Sequence, residues 1–269
     1  MSPDLARIGR VLRLGHDPGL RVEALQAELE SCAGLAPEIE RLAQSRLYGM
    51  PGQMRRLDRA ILILGSRTVA EIAASALVAQ GLMRLQIGIL AGSALLRHSL
   101  EIAIGAQFGA YQRGIDLERE AYLAGLVHDL GICAMHAAHG ERYAAVVTRA
   151  ICERRPLAQL ERDHFGTTHA ECLAETVSGW DLPRPLSFGI PPKLDRPAES
   201  QPARTLAALI QSAHQNLAQP AAGRLEVRAC ETWKSQVKTR VEDLAAHFRV
   251  PAAAASVGGA GFEPATRAL

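Results

Sequence analysis

Apolar residues recur every three or four positions along almost the whole chain, and that periodicity constrains the fold to helices. Ile8, Val11 and Leu12 share one face of a first short helix, which the turn-forming run His16-Asp17-Pro18-Gly19 ends. Leu25 and Leu29 define a second helix over Val22 to Ser31. A third, from Ala36 to Ser45, turns Ile39, Leu42 and Ala43 inward, with Pro37 well placed in its first turn. After a turn at Gly49-Met50-Pro51-Gly52, Leu57, Ile61 and Leu64 mark a helix that stops at Gly65, and helix resumes over Arg67 to Val78. Further helices are expected over Leu95 to Tyr111, Leu117 to Leu130, Glu141 to Ile151, Leu157 to His164 and Thr168 to Trp180. Pro183 and Pro185 end that run, Gly189 to Pro202 reads as a loop, and Arg204 to Leu217 and Leu225 to Phe248 are the last helices. Strand-like alternation, internal repeats and a Gly-rich phosphate loop are all missing, so the expected fold class is all-α.

Composition supports this reading. With 48% hydrophobic but only 4% aromatic residues, the core must be built from Leu, Ala, Ile and Val, and straight-chain residues lose little rotamer freedom in a helix. The net charge of +2 gives no electrostatic case for nucleic acid or a membrane surface. The apolar stretch from Leu82 to Leu96 is broken by Arg84 and Gln86 and is too short to span a bilayer. The N-terminus shows no secretory leader, and the expected compartment is cytoplasmic. Five scattered cysteines without a CxxC pair read as reduced, mostly buried thiols.

Chemistry concentrates in His98, His128, Asp129 and His169. An adjacent His-Asp pair at a helix end can offer one cation an imidazole nitrogen and a carboxylate oxygen, which suits Mn, Fe or Zn. Further ligands must come from other helices, and His98 and His169 lie on the helices flanking the pair. A metal there could polarise a phosphoryl oxygen and acidify bound water. The alternative is that these are core or surface histidines and that Asp129 caps a helix N-terminus. Spacing alone leaves the two balanced. His136, His139 and His164 read as loop or surface residues, His16 and His247 still more so.

The run from Glu120 through Ala121-Tyr122-Leu123-Ala124-Gly125-Leu126-Val127-His128-Asp129-Leu130-Gly131 resembles the signature of HD-superfamily domains, and more specifically of the HDOD family. Four other stretches agree with that family in order and spacing: Leu42 to Gly49, Leu57 to Gly65, the set Glu161, Gly166 and His169, and Trp180-Asp181-Leu182-Pro183. The resemblance spans roughly residues 18 to 218. It implies a bacterial all-α domain of signal transduction and regulation, related to metal-dependent phosphohydrolases and to HD-GYP enzymes. It also implies His98, His128, Asp129 and His169 as ligands of a divalent metal.

The chain departs from the family's pattern at several places. Pro191-Pro192-Lys193-Leu194 stands where a His-His pair is usual, and His214 stands where catalytic HD domains carry an aspartate. One carboxylate ligand is therefore missing, with His214 as its only candidate replacement. Gln44 replaces an asparagine, and Cys32-Ala33-Gly34 an Asp-Pro. The eroded ligand set points first to a regulatory module that binds a signalling protein or a small ligand without turnover, so no catalytic residue is assigned. A metal-dependent phosphohydrolase acting on a nucleotide or cyclic dinucleotide is the alternative, and a scaffold with an empty site is a third. The expected organisation is an HDOD-like domain over 1–218, a helical extension over 219–250 and a disordered tail over 251–269. The charged helix of the extension is the candidate surface for a partner or a homodimer, or else packs back on the core.

Overall fold

Two helices that are apolar on nearly every side form the centre of the molecule, as expected of segments buried all round. The structure is a computed structural model that describes residues 3–17, 19, 21–45, 56–182, 201–218 and 224–251. In chain order the elements are α1 (Leu5–His16), α2 (Val22–Glu30), α3 (Leu35–Ala43), α4 (Leu57–Leu64), α5 (Ser66–Leu82), β1 (Gln86–Ile87), β2 (Leu90–Ala91), α6 (Gly92–Gln112) and α7 (Glu118–Val127). They continue with α8 (Gly131–His139), α9 (Glu141–Glu153), α10 (Leu157–Phe165), α11 (His169–Ser178), α12 (Gln201–Ala218) and α13 (Arg224–His247). The fold class is all-α, as the periodicity predicts.

The central pair is α5 and α6. Val69, Ala70, Ile72, Ala73, Ala74 and Ala76 of α5 are all fully buried, and α1, α2, α3 and α4 pack around that helix. The expected inward residues Ile8, Val11, Leu12, Ile39, Leu42 and Ala43 are buried here. The Asp4 side chain accepts a hydrogen bond from the Arg7 amide at 3.0 Å and so caps α1. Gly65 ends α4 with φ +85, a conformation glycine adopts without Cβ strain. On the other side α7, α12 and α13 pack on α6. Gly125 of α7 meets the α6 backbone so closely that a Cβ there would lie 2.6 Å from Ala103 Cα. Val237, Val241, Leu244 and Ala245 of α13 enter the main core, and Glu242 pairs with buried Arg97 of α6 at 2.9 Å. The described part of the last helix therefore folds back on the core.

The structure corrects several expectations. A short antiparallel hairpin joins α5 to α6, pairing Gln86 with Ala91 and Ile87 with Leu90, with Gly88 at φ +58 in its turn. Two-residue strands carry too little alternation to show in a sequence. The predicted helix over Leu117 to Leu130 stops at Val127, and after a turn of three residues helix resumes at Gly131. Gly131 reads in sequence as a stop; it is the first residue of α8, a helix the periodicity did not reveal. Gln201 and Pro202, assigned to a loop, open α12, where proline in the first turn costs no hydrogen bond. The rest of that loop, the turn at 49–52 and the tail over 252–269 lie outside the described residues. Of the described thiols only Cys133 is buried; Cys32 and Cys172 are half-buried and Cys152 is exposed, and all four are free. No helix among the described residues is long and apolar enough to cross a membrane.

Candidate metal centre

Asp129 lies in the turn between α7 and α8, and its carboxylate is 1% exposed at the meeting point of three helices. His128, next to it at the end of α7, places Nε2 3.0 Å from Asp129 Oδ2. His98 of α6 places its Nε2 3.4 Å from the same oxygen, and His169, first residue of α11, places Nε2 3.6 Å from Oδ1. All four sequence-predicted residues are thus brought together and buried. The capping alternative for Asp129 fails, because neither of its oxygens has a hydrogen-bond partner of good geometry among the described residues. The His98 and His128 Nε2 atoms are likewise buried without such a bond. Buried polar atoms left this way cost about 1–3 kcal/mol each. Atoms that converge at ion-pair distance without donor–acceptor alignment fit a shared cation.

Local structure fixes which nitrogen each ring offers. A carbonyl oxygen can only accept, so His128 Nδ1 donates to Gly125 O at 2.7 Å and leaves the Nε2 lone pair facing inward. His169 is held by a carboxylate instead. Glu161 of α10, fully buried, accepts from the His169 backbone amide at 2.9 Å and from its Nδ1 at 2.7 Å. Tyr143 of α9 donates its hydroxyl to the other Glu161 oxygen. Carboxylates bonded to the outer nitrogen of a ligating histidine set its orientation and basicity in metal sites. Thr168 and Glu171 form a capping box that starts α11, which places His169 at the first helical position.

A fifth residue joins the group. His214 of α12 donates Nδ1–H to Ile210 O at 2.9 Å, and its Nε2 is buried without a partner. Nitrogens of His98, His128 and His214 lie within 4.8 Å of one another. Sequence reasoning kept His214 outside the ligand set, because a histidine at an expected aspartate position reads as a loss. Glu161 and Tyr143 were missed as functional residues. Glu161 stands out in the motif, but its partner on α9 is invisible without the fold. Among the other histidines, His16 and His247 were expected at the surface. Instead, His16 is buried with Nδ1 2.9 Å from Leu12 O, and the His247 side chain is 8% exposed beside Glu38. His136 and His139 on α8 are half-buried, and His164 on α10 is exposed, as expected of a surface residue.

The charges are strongly coupled. Burial opposes ionisation of Asp129, but the imidazoles of His128, His169 and His98 around it outweigh that cost and hold the carboxyl well below the usual range. Burial likewise opposes protonation of His169, yet Glu161 and then Asp129 raise it to about 10. His214 is pushed the other way, down to about 3, by burial first and then by the neighbouring rings of His128 and His98. Its inner nitrogen is therefore unprotonated near neutral pH. A nitrogen-rich, buried donor set around one carboxylate fits Mn, Fe or Zn, with imidazole favouring the last two.

Comparison with known families decides the identity, since the HDOD domain family matches residues 3–191. The chain belongs to the HDOD family. An HDOD domain protein of unknown function from Geobacter sulfurreducens shares the fold at a TM-score of 0.64 and 21% identity, over 94% of this chain and 93% of that one. A candidate phosphohydrolase from Shewanella amazonensis matches at TM-score 0.59 and 20% identity, over 94% and 90%. A candidate signal transduction protein from Marinobacter aquaeolei matches at 0.62 and 20%, over 93% of this chain and 59% of that longer one. At these identities the likenesses show the HDOD fold. Curated proteins give no match.

Proposed function

We propose that this HDOD domain is a regulatory module of signal transduction, binding a signalling protein or a small ligand, and that its histidine site holds one divalent cation without turning over a substrate. The observation that carries the reading is the burial of the converging groups: His98, Asp129 and His169 are at most 2% exposed and His128 is 8% exposed. Metal-assisted hydrolysis needs a coordination position that water and a substrate phosphoryl group can reach, whereas structural sites are closed. Free thiols fit a reducing, cytoplasmic setting.

Elemental analysis of protein purified without chelator tests the reading. Near-stoichiometric Mn, Fe or Zn is expected, lost in the double variant His128→Ala, Asp129→Ala. Metal-free wild type, or a variant with unchanged metal and stability, refutes it. The second reading, a metal-dependent phosphohydrolase of a nucleotide or cyclic dinucleotide, is favoured by the intact His98, His128, Asp129 and His169 set. Hydrolysis of a generic phosphodiester by the wild type but not by the double variant would establish it and overturn the module.

A further inference from the structure

The rings of His98, His128 and His214 form a nearly equilateral triangle, with centroids 5.2, 5.2 and 5.1 Å apart. Each ring comes from a different helix: α6, the end of α7, and α12. His128 and His214 are both locked by Nδ1–H donation to a carbonyl in the preceding turn of their own segment, so each offers Nε2. The inner nitrogens of all three are buried and lack hydrogen-bond partners. Among the described residues the carboxylate oxygen that stands close to them is Asp129 Oδ2, 3.0 Å from His128 Nε2 and 3.4 Å from His98 Nε2. Glu161, the other nearby carboxylate, is engaged by His169 and Tyr143 and is not free to ligate.

We propose that His98, His128 and His214, with Asp129 as the fourth donor, make a closed three-nitrogen, one-oxygen site that selects zinc or a similar late first-row cation over manganese and magnesium. The inference rests on the metal reading above and narrows it. Imidazole suits zinc, iron, cobalt and nickel, while carboxylates, carbonyls and water suit magnesium and manganese. Four donors of N and O type also make up a full coordination shell for zinc. A carboxylate at position 214 would add a hard, anionic donor and move the balance back towards manganese. The histidine there is thus a change of metal preference and not a loss of the site.

The test uses the full chain, stripped with chelator and titrated with zinc, cobalt or manganese. The ratio of zinc to manganese affinity is expected to fall by about tenfold or more in His214→Asp, and zinc affinity by a similar factor in His214→Gln. Two variants guard against one that fails to fold. The cobalt spectrum of the wild type needs no variant, and the intense visible bands of a four-coordinate ion are expected. The weak spectrum of a six-coordinate, oxygen-ligated ion, or an affinity ratio unchanged in both variants, overturns the inference while leaving metal binding intact. Failure of the wild type to bind any of the three metals overturns the inference together with the reading it rests on.

Discussion

Gly131 is the residue whose replacement tests how the site is assembled. It opens α8 directly after the His-Asp turn, and its backbone lies against the first residue of α11. A Cβ at 131 would stand 1.8 Å from His169 O, 2.6 Å from His169 C and 3.1 Å from Leu173 Cβ. Real Cβ contacts are not shorter than 3.0 Å, so Gly131→Ala must move α8 and α11 apart by about 1 Å. Nothing flexible can yield, because the obstructing atoms are backbone. Overpacking of this kind costs about 1–3 kcal/mol. Alanine's helix propensity over glycine returns up to about 1 kcal/mol. A net loss of about 1–2 kcal/mol follows, which for a domain of this size lowers Tm by about 2–8 °C.

The same displacement should reach the site. His169 Nε2 already stands 3.6 Å from Asp129 Oδ1, and another 1 Å breaks the contact that positions this donor carboxylate. Gly131→Ala is therefore expected to lose metal as well as stability, read by calorimetry and elemental analysis on one preparation. Gly140→Ala is the control. Gly140 has open space around it but φ +56, so alanine there costs about 1 kcal/mol through backbone strain and leaves metal content intact. A Gly131→Ala protein that melts with the wild type and keeps its metal would refute the argument, since α8 and α11 would then not be in contact.

Glu161→Gln removes the charge that holds His169 against the Asp129 donor, and with that carboxylate less firmly positioned zinc affinity should drop by about 10-fold or more in isothermal titration, with the far-ultraviolet circular dichroism unchanged. Trp180 packs on α1 where Gly9 leaves room, 2.5 Å from the position of a missing Cβ, and is 7% exposed. Trp180→Ala should cost about 3–5 kcal/mol in urea denaturation, and a value below about 1 kcal/mol would remove the motif's tryptophan from the core. His247 is held down at about 4 by burial and then by Arg41, against an ordinary value of 6.5. The unfolded chain takes up a proton between those values that the folded chain refuses, so stability must fall as pH drops from about 6.5 to about 4. His247→Gln should flatten that part of the urea-midpoint profile; an unchanged slope would assign the pH dependence elsewhere.

Much of this was legible because helices are local. The amphipathic spacing of Ile8, Val11 and Leu12, or of Ile39, Leu42 and Ala43, is set by a 3.6-residue period that needs no knowledge of the partner. The His128-Asp129 pair was legible for a similar reason, as its two donors are neighbours in sequence. What did not show depends on tertiary proximity. Gly131 looks like a helix stop, because close approach to His169 leaves no trace in the spacing around it. Tyr143 and Glu161 are a pair only once α9 and α10 fold together. His214 reads as a lost aspartate until α12 docks and its ring closes the triangle.

The docking itself explains why the site survives the change of ligand. α12 reaches α6 and α7 through its own apolar cluster, in which Leu206, Leu209, Ile210 and Ala213 pack on Ile102, Ala106, Ala121 and Ala124. Ala213 and Ile210 flank His214 in that interface, so the backbone at 214 is placed by burial and not by the ligand it carries. Gly125 and Ala103 fix α7 on α6 in the same way, and Gly131 fixes α8 on α11. Each donor is therefore positioned by a separate hydrophobic contact before any cation arrives. Replacing aspartate by histidine at the end of one such arm alters the donor's chemistry and leaves its position alone. A cation that binds this preassembled group stabilises the fold by RT ln(1 + [L]/Kd), about 4 kcal/mol at a thousandfold excess over Kd. Under the proposed ligand set that coupling would link α6, the end of α7 and α12 through one ion.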